Sequence, residues 1–541
     1  MFCGNCGATV PEGAVVCPQC GTKMMNGTTE QAQEASAFGT ASFGGAQGAF
    51  TPADSLDAQA PGQGTGGKNK LLVPIIAVAV LCVVIIAACA VFMSGKSGSG
   101  NRKDVICGQY VGGSTALFFD AKGNTKEIDD VDTIKSSGDK TKGVYITDDD
   151  STLYYIDNKL KPVKVADEVL SVQMSMTGDY IAYTTGDGSE YRDCTLYLYD
   201  AKKNKSSKIA SNVHSGYVCL SPNGKSVAYV KNYESDSDND LYLSVGGKEG
   251  NKIAREGCLP VAVSDDGKKL FYFKVDEDDY SYDLQYYNGK ESTKIAGDVS
   301  SAMYTNKDVS ELMYYKDGKT YYFNTKKKEA QRASGSYLRK LGNQTTTGIV
   351  NSLSTTYNVD SLTNAFYSAD GSIVWLSRDG SETTKVTSKY DDYAVSEDGR
   401  TLVYVNKGSL YKAEKFSANA EPKQLCEDQE AIGIVASSDL SRIYLITEDK
   451  ELYYYRDKKH VIKISNDLES RWEVAYNETD QRVYFIDNDD LYSAATNNKK
   501  KKVESDVEEV DSNGDFVVYS VDDGDTIYLL TKNGAKKIYS E

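Results

Sequence analysis

Histidine is almost missing from this sequence, which has only His214 and His460 among its 541 residues. A hydrolytic metal centre built from several imidazoles is improbable, because any such site would have to use both of these widely separated residues. A Gly-x-Ser-x-Gly nucleophile motif is also missing, although a serine hydrolase of the α/β type would need one. We interpret both histidines as surface or hydrogen-bonded core residues. The sequence therefore predicts a protein that is not an enzyme.

Basic residues are too few to balance the acidic ones. The chain has 61 Lys and Arg against 78 Asp and Glu, a formal net charge of −17. Nucleic acids are held chiefly by clustered Lys and Arg, so a nucleic-acid partner is not expected. Proline and tryptophan are scarce too, at nine and two residues, whereas tyrosine is abundant at 40. This balance favours β-structure over helix.

Four of the eleven cysteines fall within the first twenty residues, as two Cys-x-x-Cys pairs. The pairs are Cys3 with Cys6 and Cys17 with Cys20, each followed directly by glycine. Four thiolates at this spacing can hold one tetrahedral zinc ion, and so short a segment has little other means of building a core. Two structural disulfides or a redox pair are the alternatives. The pattern resembles the minimal zinc ribbon of bacterial membrane proteins, which implies a structural zinc and a partner-docking role for residues 1–23.

Residues 24–70 are rich in Gly, Ala, Ser and Gln and show no apolar periodicity, so they are predicted to form a disordered linker. A glycine-rich stretch at 62–69 satisfies the dinucleotide-binding pattern and nearly matches a P-loop. Both motifs need a preceding strand and a following helix, and neither is expected here. We therefore assign no nucleotide site to this stretch.

Residues 71–93 form an uncharged apolar run. As a helix it would extend roughly 34 Å, which is enough to cross a bilayer. The flanking lysines and arginines do not fix its orientation. Thiolate ligands favour a reducing compartment for the N-terminus, so the sequence predicts a single-pass cell-membrane protein with a cytosolic N-terminus and an extracytoplasmic C-terminal region. The alternative is lipidation of Cys89, because Ile86–Cys89 resembles a bacterial lipobox.

From Val105 onward the chain repeats one pattern about every forty residues. Each repeat has an aromatic residue in a short β-rich run, followed in most repeats by Leu-Tyr or a close relative. The ten aromatic positions are Tyr145, Tyr183, Tyr229, Tyr272, Tyr314, Tyr367, Tyr404, Tyr444, Tyr484 and Tyr519. Asp-Gly and Asn-Gly pairs between the runs are typical of two-residue type I′ hairpin turns. Four short antiparallel strands per repeat predict an all-β fold made of β-propeller blades.

The runs 220–230, 263–273 and 395–405 resemble the blade motif of TolB-like propellers, and the Leu-Tyr-Tyr runs are similar to YWTD-type propellers. The resemblance covers 105–541 and implies fold class only. About ten repeats would make either one large ring or two tandem rings, with the longest gap, Gly335 to Asn364, as the expected insertion or seam. The partial unit Val105–Ile128 is expected to lend strands to the last blade.

Acidic clusters occur at several predicted turns, including Asp148–Asp150, Asp236–Asp240 and Glu277–Asp279. Calcium binding is one interpretation, although none of them has the glycine and terminal glutamate of an EF-hand loop. Solvated loops are the interpretation we favour. The function predicted from the sequence is a propeller that binds a protein, peptide or envelope ligand. The alternatives are hydrolase or lyase chemistry in the central channel, with convergent carboxylates near a histidine, and a purely structural envelope protein.

Overall fold

The computed structural model describes residues 105–541 apart from 113, 187–190, 277–280, 342–359, 471–472, 513–515 and 532. In these residues every long regular element is a β-strand, and no helix occurs. The predicted all-β fold with four-stranded antiparallel sheets is confirmed. The predicted zinc ribbon (1–23), the linker (24–70) and the apolar run (71–93) lie outside the described residues.

The predicted localisation is corrected by the structure. Within the described residues, no helix has the length and apolar character needed to cross a bilayer. The prediction of a single-pass membrane protein with an extracytoplasmic C-terminal region is therefore not supported.

The strands form eleven consecutive units within the described ranges. Unit 1 has three strands: β1 (Ile106–Gly112), β2 (Thr115–Asp120) and β3 (Thr125–Ile128). Unit 2 has β4 (Val131–Ser136), β5 (Lys142–Thr147), β6 (Leu153–Asp157) and β7 (Val163–Ala166). Unit 3 has β8 (Val169–Met174), β9 (Tyr180–Thr185), β10 (Cys194–Asp200) and the first part of β11 (Lys205–Leu220). Unit 4 has the rest of β11, then β12 (Ser226–Lys231), β13 (Asp240–Val245) and β14 (Asn251–Arg255). Unit 5 has β15 (Cys258–Val263), β16 (Leu270–Val275), β17 (Tyr282–Tyr287) and β18 (Ser292–Ala296).

The second half of the chain continues in the same way. Unit 6 has β19 (Ser301–Thr305), β20 (Glu311–Lys316), β21 (Lys319–Asn324) and β22 (Ala330–Ser334), and unit 7 has β23 (Arg339–Lys340), β24 (Ala365–Ala369), β25 (Ser372–Leu376) and β26 (Thr383–Thr387). Unit 8 has β27 (Asp392–Val395), β28 (Thr401–Asn406), β29 (Gly408–Glu414) and the first part of β30 (Lys423–Ala436). Unit 9 has the rest of β30, then β31 (Ile443–Thr447), β32 (Leu452–Asp457) and β33 (His460–Ser465). Unit 10 has β34 (Val474–Asn477), β35 (Arg482–Asp487), β36 (Asp490–Ala494) and β37 (Lys501–Glu504), and unit 11 has β38 (Glu509–Ser512), β39 (Val517–Val521), β40 (Thr526–Thr531) and β41 (Gly534–Ser540).

The tyrosine repeat has a direct structural cause. In six of the ten repeats the repeat tyrosine on the second strand pairs in register with the tyrosine of the Leu-Tyr motif, or of its close relative, on the third strand, as in Tyr145 with Tyr154 and Tyr404 with Tyr411. The two rings of these pairs stack with centroids 4.9 Å and 5.1 Å apart. Cross-strand aromatic pairs of this kind stabilise an antiparallel sheet, so these tyrosines hold the second and third strands of their units together.

The Asp-Gly and Asn-Gly turns divide into two types. At Asp317-Gly318 both residues have positive φ, 51° and 70°, as a type I′ hairpin turn requires. The pair Asp398-Gly399 belongs to a longer turn between first and second strands, in which only the glycine has positive φ, 70°. Ser396 closes this turn by donating from its Oγ to Asp398 Oδ1 at 2.7 Å. The type I′ prediction is therefore wrong for turns of this second type.

Unit 1 is a sheet of its own and has three strands, one fewer than each of the other units. Its turn at 120–124 has the same hydrogen bond as the turn at 200–204, which joins the third strand of unit 3 to the fourth. In the first turn Asp120 Oδ1 accepts from the amide of Lys122 at 2.9 Å, and in the second Asp200 Oδ1 accepts from the amide of Lys202 at 3.1 Å. Strands β1 to β3 thus correspond to second, third and fourth strands. The expectation that this segment lends strands to the last blade is wrong, because unit 11 has four strands of its own.

Hydrophobic cores lie between successive units, and each sheet buries apolar side chains on both of its faces. On β28 of unit 8, Leu402 joins a core shared with unit 7, and Val403, on the opposite face, joins a core shared with unit 9. The core that contains Phe119 of unit 1 also contains Phe516 and Ile538 of unit 11. The rings of Phe119 and Phe516 meet edge to face with centroids 5.3 Å apart. The two ends of the described chain therefore share one core.

We predict that this core couples the first and last units energetically. Replacing Phe119 and Phe516 by leucine, singly and together, should give a coupling free energy of about 0.5–1.5 kcal/mol in a double-mutant cycle measured by urea unfolding. The control cycle pairs Phe119→Leu with Tyr404→Leu in unit 8, and its effects should add. Additive effects in the Phe119 and Phe516 cycle would contradict the prediction.

Candidate functional site

The connections between strands lie on two faces of the domain, because successive strands run antiparallel. Turns from first to second and from third to fourth strands lie at one end of the strands, here called the turn face. Connections from second to third strands, and passages to the next unit, lie at the other end, here called the loop face. Backbone bonds between connections follow this division, as where the amide of Leu468 donates to the carbonyl of Lys450 at 2.9 Å.

An aromatic cluster lies on the loop face between units 3 and 4. The imidazole of His214 lies 4.5 Å from the ring of Tyr217 and 4.3 Å from that of Tyr233, measured between centroids. The guanidinium of Arg192 lies over the Tyr233 ring at 5.9 Å. We call the residues Tyr191, Arg192, His214, Tyr217 and Tyr233 the aromatic patch.

Three separate segments bring the patch together. Tyr191 and Arg192 come from the connection between β9 and β10, His214 and Tyr217 from the middle of β11, and Tyr233 from the connection between β12 and β13. The amide of Ser215 donates to the carbonyl of Tyr191 at 2.8 Å, which fixes the first segment on the second. The side chain of Tyr191 is 45% exposed, one of two large hydrophobic side chains that are exposed in the described residues.

One carboxylate organises the two inner tyrosines of the patch. Asp236 Oδ1 accepts hydrogen bonds from the hydroxyls of Tyr217 at 2.6 Å and of Tyr233 at 2.8 Å. Burial, together with the bond to Asp236, raises the pKa of Tyr217 and raises that of Tyr233 to about 12. Both hydroxyls stay protonated at neutral pH and act as fixed donors, so these rings are held rigidly.

His214 is neutral and half-buried in the patch. Its Nδ1 accepts from the amide of Gly216 at 3.2 Å, which leaves the proton on Nε2. Burial lowers the pKa of His214 to about 4, the charge of Asp236 opposes this shift, and that of Arg192 adds to it. The ring therefore acts as an aromatic surface and not as a cation at neutral pH.

The structure does not bring the two histidines into one site. His460 begins β33 in unit 9, is exposed, and contacts Asp457 Oδ1 through Nδ1 at 2.8 Å. His214 lies between units 3 and 4 beside tyrosines, with Asp236 as the nearby carboxylate. The convergent carboxylates near a histidine that would favour channel chemistry are not found at either residue in the described part of the chain.

The predicted zinc ligands Cys3, Cys6, Cys17 and Cys20 lie outside the described residues. The cysteines of the described region, Cys107, Cys194, Cys219, Cys258 and Cys426, are all buried and form no disulfide there. Burial raises the pKa of the Cys258 thiol to about 12, so this residue is a packing residue and not a nucleophile.

Of the acidic clusters predicted from the sequence, Glu277–Asp279 lies outside the described residues, and 236–240 has structural roles. No group of three or more His, Cys, Asp or Glu side chains in the described ranges is arranged to hold a metal ion. In the predicted cluster 236–240, Asp236 binds the tyrosine hydroxyls and Asp240 pairs with the ammonium of Lys252 at 2.6 Å.

Sequence reasoning missed the aromatic patch, because its rings come from connections and not from the repeated strand positions. The aromatic residues outside the repeat register were the available sign.

We predict that His214 makes stability depend on pH. Since the pKa of His214 is about 4 when folded and near 6.5 when unfolded, the unfolded state binds more protons between these values, and stability falls as the pH is lowered from about 6.5 towards 4. His214→Gln lacks this linkage, so its stability relative to the wild type should improve between pH 7 and pH 5 in urea unfolding. A constant difference across that range would show that His214 does not titrate in this way.

Comparison with known proteins identifies one domain of the chain and finds solved structures that part of the chain is similar to. Residues 2–24 match the zinc-ribbon domain family. The chain is similar to a eukaryotic initiation factor structure (10% identity, 72% of this chain and 93% of that chain, TM-score 0.35). It is also similar to an oligogalacturonate lyase in complex with manganese (15% identity, 50% and 84%, TM-score 0.30) and to TolB from Acinetobacter baumannii (13% identity, 55% and 77%, TM-score 0.26). Curated protein sequences contain no match.

These comparisons correct one prediction and confirm another in part. The prediction that the chain is not an enzyme does not stand, because the similar structures include the lyase and acylaminoacyl peptidases. At such low identity the likeness concerns the fold and assigns no reaction to this chain. The zinc ribbon and the propeller-like fold with TolB among its neighbours agree with the sequence.

Proposed function

We propose that the propeller-like domain is a binding module that takes a protein or peptide ligand on its loop face, with the aromatic patch as the contact site. The observation that carries this proposal is the exposed Tyr191, next in the chain to Arg192, whose guanidinium lies over one of the two rings held in place by Asp236. Tyrosines with little freedom are favoured at binding surfaces, because they supply a large contact area at a small entropic cost.

The arrangement of the units supports the same proposal. We take the units to form one ring and not two, because the first and last units share the core around Phe119 and Phe516. In one ring the connections of all units lie around a common loop face. A ligand seated on the patch could then reach connections of neighbouring units as well.

Binding at the patch can be tested with a random peptide library displayed on phage and selected on the full-length protein. Peptides enriched on the wild type should lose about tenfold in affinity on Tyr191→Ser, since a central aromatic contact contributes at least about 1.4 kcal/mol. The matched control is Val245→Ser, because Val245 is also 45% exposed but ends β13 on the turn face. The proposal fails if no peptide is enriched, or if the enriched peptides bind Tyr191→Ser as tightly as the wild type.

We further propose that Cys3, Cys6, Cys17 and Cys20 hold one structural zinc ion, so that the ribbon folds and docks a partner of its own. The donor set supports this, since four thiolates in two Cys-x-x-Cys pairs suit tetrahedral zinc. The match of residues 2–24 to the zinc-ribbon domain family supports it too.

Metal analysis of the purified full chain checks the zinc proposal. We expect about one zinc ion per chain in the wild type and loss of this zinc in Cys17→Ser, because three thiolates leave the tetrahedral site incomplete. Cys426→Ser is the control, since Cys426 is a buried thiol of the propeller-like domain and should leave the zinc content unchanged. The zinc site is excluded if the wild-type chain is purified without zinc and also binds none when zinc is added.

A further inference from the structure

The two faces of the domain differ strongly in charge. Connections on the loop face carry exposed acidic residues around most of the domain, among them Asp130, Asp149, Glu168, Glu430, Asp449 and Asp522. Third-to-fourth-strand turns on the turn face carry exposed lysines instead, among them Lys159, Lys202, Lys327, Lys459 and Lys499. The negative charge of the chain is thus concentrated on the face that carries the aromatic patch.

Acidic side chains also border the patch itself. Glu234 follows Tyr233 directly, and Asp238 lies in the same connection; both are exposed. Neither side chain has an ion-pair partner in the part of the chain that the structure describes. Unpaired carboxylates next to aromatic rings create a negative potential that attracts cations and raises their rate of encounter.

The patch already shows which chemistry fits its rings. The guanidinium of Arg192 lies over Tyr233 at 5.9 Å, so one ring of the patch holds a cation supplied by the protein itself. The neighbouring Tyr191 is the exposed ring. A lysine or arginine of a ligand could lie over Tyr191 in the same way, with Glu234 and Asp238 available for its remaining hydrogen bonds.

We infer that the ligand of the loop face is a cationic protein segment, rich in lysine or arginine, whose side chains contact Tyr191 and the carboxylates of Glu234 and Asp238. This inference rests on the proposed function and names the partner's chemistry. Charge complementarity over the whole face selects the occupant, and the rings fix where it binds. An acidic or neutral segment would meet uncompensated repulsion or gain nothing from this field.

The test uses the full-length protein and three labelled peptides of about twelve residues: oligolysine interrupted by serine, the same peptide with glutamate for lysine, and a serine-glycine peptide. Fluorescence anisotropy should show binding of the lysine peptide alone. Its affinity should fall about tenfold or more when the ionic strength is raised from roughly 0.05 M to 0.3 M, because added salt screens exposed charges.

Variants then locate the binding. Glu234→Gln with Asp238→Asn should weaken the lysine peptide about tenfold, and Tyr191→Ser should do the same. The matched control, Glu249→Gln with Glu329→Gln, removes two exposed acids from turn-face connections and should have little effect. Equal weakening by the control pair would mean diffuse attraction to the whole chain and would overturn the inference.

The remaining outcomes separate this inference from the proposed function. If the display selection enriches neutral or acidic peptides that need Tyr191, while the lysine peptide does not bind, the inference is wrong and the binding module stands. If no peptide of any charge binds at the patch, the proposed function fails and the inference fails with it.

Discussion

Every sheet of this domain is apolar on both faces, and the rest of the structure follows from that constraint. Alternate residues of a strand point to opposite faces, so the run Leu402 to Val405 presents Leu402 and Tyr404 to unit 7 and Val403 and Val405 to unit 9. A sheet at the end of a linear stack would leave one such face in water, at a cost of roughly 25 cal/mol per Å² of apolar surface. Packing of unit 11 on unit 1 removes both exposed ends at once.

Because the strand side chains are buried between sheets, a ligand can be bound mainly by the connections between strands. Side chains of the second and third strands are occupied by cores and by stacked tyrosines such as Tyr519 with Tyr528, whose centroids are 5.2 Å apart. The turn-face connections have a structural role as well. In the turn after β27, Ser396 Oγ accepts from the amide of Thr401 at 2.9 Å, and the amide of Glu397 donates to the carbonyl of Ser438 in the next unit at 2.8 Å. Loop-face connections are bonded to one another as well, as where the amide of Asp148 donates to the carbonyl of Asp130 at 2.7 Å, but they leave Tyr191 exposed, so a ligand site can be built there.

The sequence predicted the repeated part of this architecture, because the residues that pair within a unit are close together in the chain. Tyr404 and Tyr411 could be read as a cross-strand pair without any knowledge of distant contacts. Unit 1 was harder to recognise, since Gln109 pairs with Leu117 where Tyr145 pairs with Tyr154 in unit 2. The patch was not predicted, although aromatic residues outside the repeat register were a sign of it. Its members 192, 214 and 233 come from three segments, and only the packing of unit 3 on unit 4 brings the guanidinium of 192 and the imidazole of 214 within about 6 Å of the ring of 233.

The acidity of the chain has a physical explanation of the same kind. Lysines in the third-to-fourth-strand turns pair with acids on the same face, as Lys202 does at 2.8 Å with Asp179 from the first-to-second-strand turn of its own unit. Such pairs contribute little free energy, but they neutralise the turn face. Loop-face acids can instead organise neighbouring side chains, as Asp236 does by accepting hydrogen bonds from two tyrosine hydroxyls. Those that remain exposed, Glu234 and Asp238 among them, repel one another and weaken the folded state. A cationic segment bound on that face would relieve this repulsion, so binding and stability would increase together.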